Sequence, residues 1–265
     1  MRKVAMILVM AALLVGCSSS DNNGNNANNN QGNETTPLED AGGNGTDVDN
    51  AGAEYDSSYA YVFDHIEFLE QPGRKLNNLL NSNMDLNLDH PVLIMLVLSQ
   101  IDTDAGTMYI EGGSGRKTDT DNEYSYNPDA EIDGMDGTIN ADTGHFEAQL
   151  PTFNFVATFQ TEDGPITTIL PIKDLAVSGN IQFNDDDTTE VVNGTLAGYL
   201  TKEDGDNTTI AIVPGGEPTP LTVFFQTAML NYNTTTGARV EAGSTDADAW
   251  YLNGVFTARE TTLVN

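Results

Sequence analysis

Short alternations of apolar and polar residues, separated by turn residues, fill the chain from about residue 54 onward. Alternation of this kind predicts β-strands with one buried face. Strands with regularly spaced turns and few helical stretches predict an all-β fold, an antiparallel β-sandwich or barrel of about ten strands with one or two short helices. The predicted strands are Tyr59–Leu69, Val92–Leu98, Thr107–Glu111, Gly137–Asn140, His145–Leu150, Phe153–Gln160, Ile166–Ile172, Ala176–Phe183, Val191–Leu200, Thr208–Val213 and Trp250–Arg259.

Three segments depart from simple alternation. Val92–Leu98 is continuously apolar, which predicts a strand buried on both faces. Pro72–Asn83 carries leucines at helical spacing and predicts a short helix over one end of the sheet. Leu221–Leu230 fits a second helix better than a strand.

Two glycines, Gly179 and Gly194, stand inside strand-like runs. Glycine in a strand indicates a bulge or a close approach of another chain segment, and such kinks help a sheet to curve. Simple loops at the same positions are the alternative.

The first 16 residues have the parts of a secretory signal: Arg2 and Lys3, then an apolar run from Val4 to Val15. This run is shorter than the about 20 residues that a membrane-spanning helix needs. We therefore predict a cleaved signal rather than a transmembrane anchor.

The tetrad Leu14-Val15-Gly16-Cys17 resembles the lipobox of bacterial lipoproteins. This resemblance implies cleavage before Cys17, lipid on its sulfur and attachment to a membrane of the cell envelope. Ser18 stands where an Asp favours the inner membrane in well-studied Gram-negative lipoproteins, so the resemblance implies the outer membrane. Periplasmic and surface-exposed orientations both stay open.

Residues 17–53 contain few apolar side chains and include the Asn-rich tract Asn22–Asn30. Such a segment cannot bury enough surface to offset the entropy lost on ordering, so we expect a disordered tether. Residues 54–265 are then a single β-rich domain. Because Cys17 is the only cysteine and carries the lipid, this domain has no disulfide.

The chain has 10 Lys and Arg against 40 Asp and Glu, a net charge of −30. This balance excludes nucleic acid as a natural partner, because phosphate recognition needs basic patches. It also disfavours flat binding to anionic lipid. A solvated acidic surface and calcium binding remain as explanations.

Calcium candidates are the only cofactor sites that the sequence offers. Asp119, Asp121 and Glu123 alternate like calcium ligands, but the loop lacks the Gly and the closing Glu of an EF-hand. Asp246 and Asp248 precede Trp250 and form a second acidic group.

No catalytic motif stands out. His65, His90 and His145 are far apart in sequence, which disfavours a zinc site. The chain has no phosphate-binding loop or dinucleotide fingerprint. No catalytic residue is nominated, and the sequence leans away from an enzyme.

The stretch Asp248–Ala258 resembles the C-terminal strand of uncharacterised lipid-anchored proteins of Gram-negative bacteria. In those proteins an Asp- and Gly-rich loop that looks able to hold calcium often comes just before this strand. Here Asn231–Gly237 carries Asn and Thr in place of the carboxylates, and the resemblance implies no activity.

The expected function is that of a lipid-anchored, acidic, non-catalytic envelope protein with a β-rich binding or structural domain. One alternative is a carrier that holds lipid or another apolar ligand in a barrel cavity. A second alternative is a secreted hydrolase without a recognisable motif.

Replacing Cys17 by Ala tests the anchor. The Cys17→Ala variant is expected to leave the membrane fraction or to keep its signal, because acyl chains on this residue supply the attachment. Fractionation and the mass of the mature N-terminus give the result, with Ser18→Ala as the control that keeps the thiol. A Cys17→Ala variant that stays membrane-bound and is still cut after Gly16 contradicts the prediction.

Overall fold

A computed structural model describes residues 48–86, 88, 91–128, 130, 133–161, 163–211, 216–225 and 228–264. The predicted signal, Cys17 and most of the predicted tether lie outside the described residues. So do His90 and parts of the predicted strand 208–213 and helix 221–230.

The described residues form 13 strands and three short helices. The strands are β1 Ser58–Phe68, β2 Leu93–Asp102, β3 Thr107–Lys117, β4 Glu123–Tyr126, β5 Asp133–Asn140, β6 His145–Thr161, β7 Gly164–Phe183, β8 Thr189–Thr201, β9 Thr209–Ile210, β10 Thr219–Pro220, β11 Tyr232–Asn233, β12 Ala238–Arg239 and β13 Ala249–Leu263. The helices are α1 Arg74–Asn83, α2 Lys202–Asn207 and α3 Leu221–Phe224. None of the described helices is long and apolar enough to cross a membrane.

The long strands pair in a closed antiparallel ring. The order around the ring is β1, β2, β3, β5, β6, β7, β8 and β13, and β13 pairs again with β1. That closing ladder runs from Ala60 opposite Thr261 to Phe68 opposite Gly254. The predicted antiparallel all-β fold is confirmed, and the closing ladder makes the sheet a barrel.

Two pairs of predicted strands are single long strands in the structure. His145–Leu150 and Phe153–Gln160 both belong to β6, and the predicted strands of residues 166–172 and 176–183 both belong to β7. Pro151 has no N–H for the ladder, and the pairing passes from Leu150–Leu175 to Thr152–Lys173 without a Pro151–Asp174 pair. The strands therefore continue past a proline that marks a break in the sequence pattern.

Three further pieces lie off the ring. The β11–β12 hairpin pairs with the start of β13 through Tyr232 and Ala249. Strand β4 pairs with β3 and, in parallel, with the end of β13. Strands β9 and β10 make a small sheet of their own.

Large apolar side chains pack in the barrel interior. Within it the rings of Phe63 and Phe256 stack with centroids 4.2 Å apart. Such burial is the main driving force for folding, at roughly 25 cal/mol for each Å² of apolar surface removed from water. Other members of this core are Phe68, Ile94, Leu96, Leu98, Ile110, Phe146, Leu150, Phe153, Ile172, Leu175, Val177, Ile181, Val191, Leu196, Leu200, Trp250 and Leu252.

The apolar run in β2 is buried on both faces, as predicted. One face belongs to the main core through Ile94, Leu96 and Leu98. The other face places Leu93 and Met95 in a second cluster with Val62 and Tyr124. Because Tyr124 belongs to β4, this short strand covers the outside of the barrel where it would otherwise be apolar.

Helix α1 confirms the helix predicted over 72–83 and covers one end of the barrel. Its Leu76 and Leu80 pack with Phe155, Leu170 and Leu221. The space left between these side chains is about 20 Å³. That volume is close to what one water molecule needs and far below that of a lipid.

The second predicted helix is shorter than expected, since α3 spans only Leu221–Phe224. Helix α2 has no counterpart among the predicted elements. Thr201 caps it by accepting a hydrogen bond from Asp204 N at 3.0 Å. A helix is predicted from apolar residues that recur at helical spacing. Helix α2 is too short to show such a repeat, and its cap alone does not identify it in the sequence.

Two asparagines of α1 bind the free edge of β1. The β1–β2 ladder ends at Val62 opposite Met95. Beyond it, Asn77 accepts a hydrogen bond from Phe68 N at 2.8 Å and donates one to Phe68 O at 3.0 Å. Asn81 does the same for the backbone of Ile66. The helix thus supplies the hydrogen bonds that β2 no longer provides.

The glycines inside the strands of β7 and β8 lie where aromatic rings touch the backbone. A methyl group on Gly179 would lie 3.1 Å from Phe146 Cζ, and one on Gly194 would lie 2.7 Å from Phe256 Cζ. Both positions also lie beside register shifts in their ladders. The predicted bulges and close approaches are confirmed, and the loop alternative is wrong.

The other end of the barrel receives the N-terminal part of the described chain. Asn50 is buried, and its amide donates to Ile181 O at 2.6 Å and to Tyr55 Oη at 3.1 Å. Its backbone N–H donates to Asp142 O at 2.8 Å. Packed contacts therefore begin before Glu54.

Replacing Asn77 by Ala tests the bond between α1 and β1. The variant leaves the N–H and C=O of Phe68 without partners, so the free energy of unfolding is expected to fall by about 2 kcal/mol. Asn78→Ala is the matched control, because Asn78 is exposed in the same helix. Denaturant titration measures both, and equal stability of the two variants would contradict the assigned role of Asn77.

Candidate functional site

A groove of about 790 Å³ lies on the outer surface of the barrel. Outward-facing residues of β6, β7 and β8 form its floor, β5 lies at one side, and Tyr232 and Gly237 of the β11–β12 hairpin region lie at the other. The volume falls in the range of about 300–1,000 Å³ typical of ligand pockets. This groove is the candidate functional site.

Small side chains make the floor of the groove. Ala176 of β7 is opposite Ala197 of β8, and Ser178 is opposite Thr195. The hydroxyl oxygens of Ser178 and Thr195 are 2.7 Å apart and share a hydrogen bond. Because the residues around this patch are larger, the outer wall is concave here.

Two tyrosines, Tyr232 and Tyr251, line the wall of the groove beside the hairpin, and Tyr199 packs against Tyr232. The rings of Tyr199 and Tyr232 stack with centroids 4.9 Å apart, and those of Tyr232 and Tyr251 stack at 6.0 Å. Tyr232 and Tyr251 are only 3% and 5% exposed, so their rings mainly hold the hairpin on the barrel. Stacked aromatic pairs of this kind contribute about 0.5–1.5 kcal/mol beyond their buried area.

Arg239 fixes the hairpin from the outside. Its guanidinium lies 4.6 Å from the centroid of the Tyr251 ring and 2.5 Å from Glu70 Oε2. Glu70 Oε1 is also 3.5 Å from the side-chain nitrogen of Asn253. A cation–π contact and an ion pair therefore anchor one guanidinium on the rim of this wall.

Asn253 has an unsatisfied acceptor. The residue is 9% exposed, and its Oδ1 is buried without a hydrogen-bond partner. It lies opposite Ala197 in the β13–β8 ladder, but it is not among the described residues that line the groove. A buried carbonyl oxygen without a donor lowers the stability of the folded state.

Three carboxylates line the groove: Asp136 of β5, Glu147 of β6 and Asp174 of β7. Among the described residues that line it there is no Lys, Arg or His. Lys173 is nearby in the chain, but its ammonium pairs with Asp204 at 2.7 Å. The groove is therefore acidic, with no described cation on its lining.

Asp174 is held in the groove by a backbone irregularity. Its φ is +46°, and the β7–β8 register shifts between Lys173 and Ala176. A non-glycine residue in the left-handed region is uncommon, although Asp tolerates it better than most residues. Bulges of this kind change the direction of a side chain on a sheet. The sequence pattern gives no sign of it.

Asp174 also changes the electrostatics of the tyrosine wall. Burial, and after it the nearby Asp174 carboxylate, raise the pKa of Tyr199 to about 12. Burial and Asp174 raise the pKa of Tyr232 as well. Both phenols therefore stay protonated and uncharged at neutral pH.

The structure places the calcium candidates in two separate turns. Asp119, Asp121 and Glu123 lie in the β3–β4 connection and the first residue of β4, with the two aspartates exposed. In the part of the chain that the structure describes, no group of three His, Cys, Asp or Glu side chains could hold a metal ion. Calcium binding at these residues stays a prediction.

The second acidic group supports the hairpin. Asp248 accepts hydrogen bonds from Thr234 N at 2.9 Å and from Thr234 Oγ1 at 2.6 Å. The backbone oxygen of Asp246 accepts one from Asn233 Nδ2 at 2.7 Å. The loop in which Asn and Thr replace carboxylates is thus the β11–β12 turn, and these residues tie it to the chain before β13.

The aromatic residues near the C-terminus divide between the two faces of β13. Trp250 and Phe256 point into the core, where Trp250 Nε1 donates to Ala228 O at 3.2 Å. Tyr251 points outward and lines the groove. His65 and His145 are exposed and do not line it.

The described lining residues of the groove contain no pair of a nucleophile and a histidine. Its one serine, Ser178, bonds to Thr195 rather than to a histidine. No described lining residue is His or Cys, the residue types that most often activate a nucleophile.

No protein-family model, curated protein sequence or solved structure matches this chain. What the groove can bind therefore follows from its own shape and charge.

Replacing Asp174 by Asn tests the geometry of the groove. Asn also tolerates positive φ, so the backbone is retained while the negative charge is lost. The pKa of Tyr199 is expected to fall below about 12 but to stay above 10.0, because burial remains. The phenolate absorbance of the variant, with Tyr199→Phe to assign the signal, measures this change.

The sign of the pH dependence follows from the same shift. A raised pKa in the folded state contributes stability that is present below pH 10.0 and is lost as the pH rises toward about 12. The Asp174→Asn variant is expected to lose less stability across this interval. Asp185→Asn, at an exposed position, is the control. If the pKa of Tyr199 is the same in the Asp174→Asn variant, the Asp174 carboxylate does not lie close to the Tyr199 ring and the prediction is wrong.

Proposed function

We propose that this protein is a lipid-anchored, non-catalytic binding protein of the bacterial cell envelope, attached through Cys17 to the outer membrane. In this proposal the β-barrel is a rigid scaffold, and the groove on its outer wall is the binding site. The chain would recognise its ligand while tethered to the membrane surface.

The observation that carries the binding role is the shape of the groove. A volume of about 790 Å³ lies above a floor of small side chains, between the hairpin wall and the carboxylates. An outer wall that serves only to cover a core has no need of such a depression. The bulge at Asp174 adds to this, because strained backbone conformations are concentrated at functional sites.

Attachment is supported by the N-terminal sequence. Cys17 is the only cysteine, it ends a signal of the right length, and the small residue Gly16 precedes it. One acyl chain holds a protein only marginally, whereas two or three on one residue make release slow.

The described interior supports binding on the outside of the barrel rather than transport inside it. Side chains such as Phe63, Phe146 and Phe153 are buried in the core. The space beside α1 is about 20 Å³, which is too small for an acyl chain. A lipid carrier needs a cavity of several hundred Å³, so this observation gives the carrier alternative no support.

A photo-crosslinking residue in place of Thr138 tests the binding role in intact cells. Thr138 is exposed and lines the groove, so a bound ligand is expected to give a covalent adduct there. The same residue in place of Ser58, which is exposed at the start of β1 and does not line the groove, is the positional control. Mass spectrometry compares the adducts from the two positions.

A second substitution fills the groove without changing its charge. Ala176→Leu adds bulk to the floor and is expected to remove the adduct at Thr138 while the thermal midpoint stays close to that of the parent protein. Adducts of equal yield at Thr138 and Ser58, or an adduct that survives Ala176→Leu, would overturn the groove as the binding site.

A further inference from the structure

We propose that the groove accepts a cationic, extended segment of a partner protein and recognises its lysine or arginine side chains. This inference rests on the proposed binding function and specifies the chemistry of the ligand. The groove offers carboxylates, hydroxyls and carbonyl oxygen, and its partner must supply positive charge and hydrogen-bond donors.

Charge complementarity is the first reason. Asp136, Glu147 and Asp174 come from three neighbouring strands and line one depression. No described lining residue neutralises them, while four of the chain's cations are committed to ion pairs elsewhere. With a net charge of −30 over the whole chain, the surrounding field also attracts a cation toward the groove.

Hydrogen-bond chemistry is the second reason. The described lining presents the carboxylate oxygens of Asp136, Glu147 and Asp174, all at exposed positions, together with the side-chain oxygens of Gln149, Ser178 and Thr195. Ammonium and guanidinium groups are donors only, with three and five N–H groups. A lysine or arginine that entered the groove would therefore donate hydrogen bonds to the acceptors that line it.

The rim of the tyrosine wall already holds one guanidinium in this manner. Arg239 lies over Tyr251 and pairs with Glu70. A bound cation would meet carboxylates of the same type inside the groove. The protein's own Arg239 thus illustrates the chemistry that we assign to the ligand.

Other occupants fit less well. A sugar would need an open aromatic face, but Tyr232 and Tyr251 are almost fully buried against each other and the hairpin. The described residues contain no group of three ligands for a metal ion. The chain's own N-terminal segment has no Lys or Arg between Lys3 and Arg74, so it supplies no competing cation.

A peptide uses the floor better than a small polyamine does. Gln149, Ser178 and Thr195 place an amide and two hydroxyls in the groove. These groups can bond to the N–H and C=O groups of a peptide backbone, which a polyamine lacks. The groove therefore favours a segment of protein over a free polyamine of equal charge.

Calorimetry with acetylated and amidated tetralysine tests the proposal on the mature domain. The peptide is expected to bind at low salt and to weaken as salt screens the carboxylates. The triple variant Asp136→Asn, Glu147→Gln, Asp174→Asn should lose at least about tenfold in affinity. The matched control is Asp119→Asn, Asp121→Asn, Asp185→Asn, which removes the same charge from exposed positions outside the groove. It should change affinity less than about twofold.

Two further measurements separate the alternatives. Spermine carries the same charge as the capped peptide and is expected to bind at least about fivefold more weakly, because it lacks a peptide backbone. Ala176→Leu should weaken the peptide although no charge changes. Equal loss in the two triple variants would show diffuse attraction and overturn the proposal, as would equal affinity for spermine or no binding at low salt.

The proposal of a cationic partner and the proposal of a binding function can be overturned separately. An adduct at Thr138 in cells that resists the groove triple variant would keep the groove as a binding site and overturn the cationic partner. Loss of the adduct in that variant but not in the control triple would support both. Absence of a groove-specific adduct, with tetralysine still bound in calorimetry, would overturn the cellular function alone.

Discussion

The ladder between β1 and β13 is the interaction on which the rest of the structure depends. Without it the sheet would have two open edges, each with unpaired N–H and C=O groups. With it, the apolar faces of eight strands turn inward around one core. The β1–β2 ladder does not extend along the whole of β1. Beyond its end, Asn77 and Asn81 of α1 form hydrogen bonds with the β1 backbone in place of β2.

Closure also determines what the outer surface can do. Because the interior takes the large apolar residues, the outward positions of β6, β7 and β8 can carry small or charged ones. The β11–β12 hairpin stands on this wall and turns one side of it into a groove, with Tyr232 stacked between Tyr199 and Tyr251. The candidate site is therefore made from the outside of the sheet, while the inside supplies rigidity.

Much of the fold could be predicted from the sequence, and little of the site could. Alternation indicated the strands, and the continuous run of β2 correctly indicated burial on two faces, because both properties are local. The groove is not local, because Asp136, Glu147 and Asp174 come together above its floor only after β5, β6, β7 and β8 have taken their registers. The bulge that exposes Asp174 lies beside Pro151 of the neighbouring strand, and neither segment alone reveals this proximity. The small residues Ala176, Ser178, Thr195 and Ala197 at alternating positions were the one available signal.

The pairing of β13 also has a kinetic consequence. This strand pairs with β8, β1, β11 and β4, so the last long strand of the chain completes ladders that begin near residue 60. Contacts between such distant parts of a sequence form slowly, because the entropy of closing a long loop is lost before any pairing compensates for it. A growing chain that still lacks β13 can form hairpins but cannot close the ring. The barrel is therefore committed to its final form only when the whole domain is free to fold, and until then its strand edges need protection from other chains.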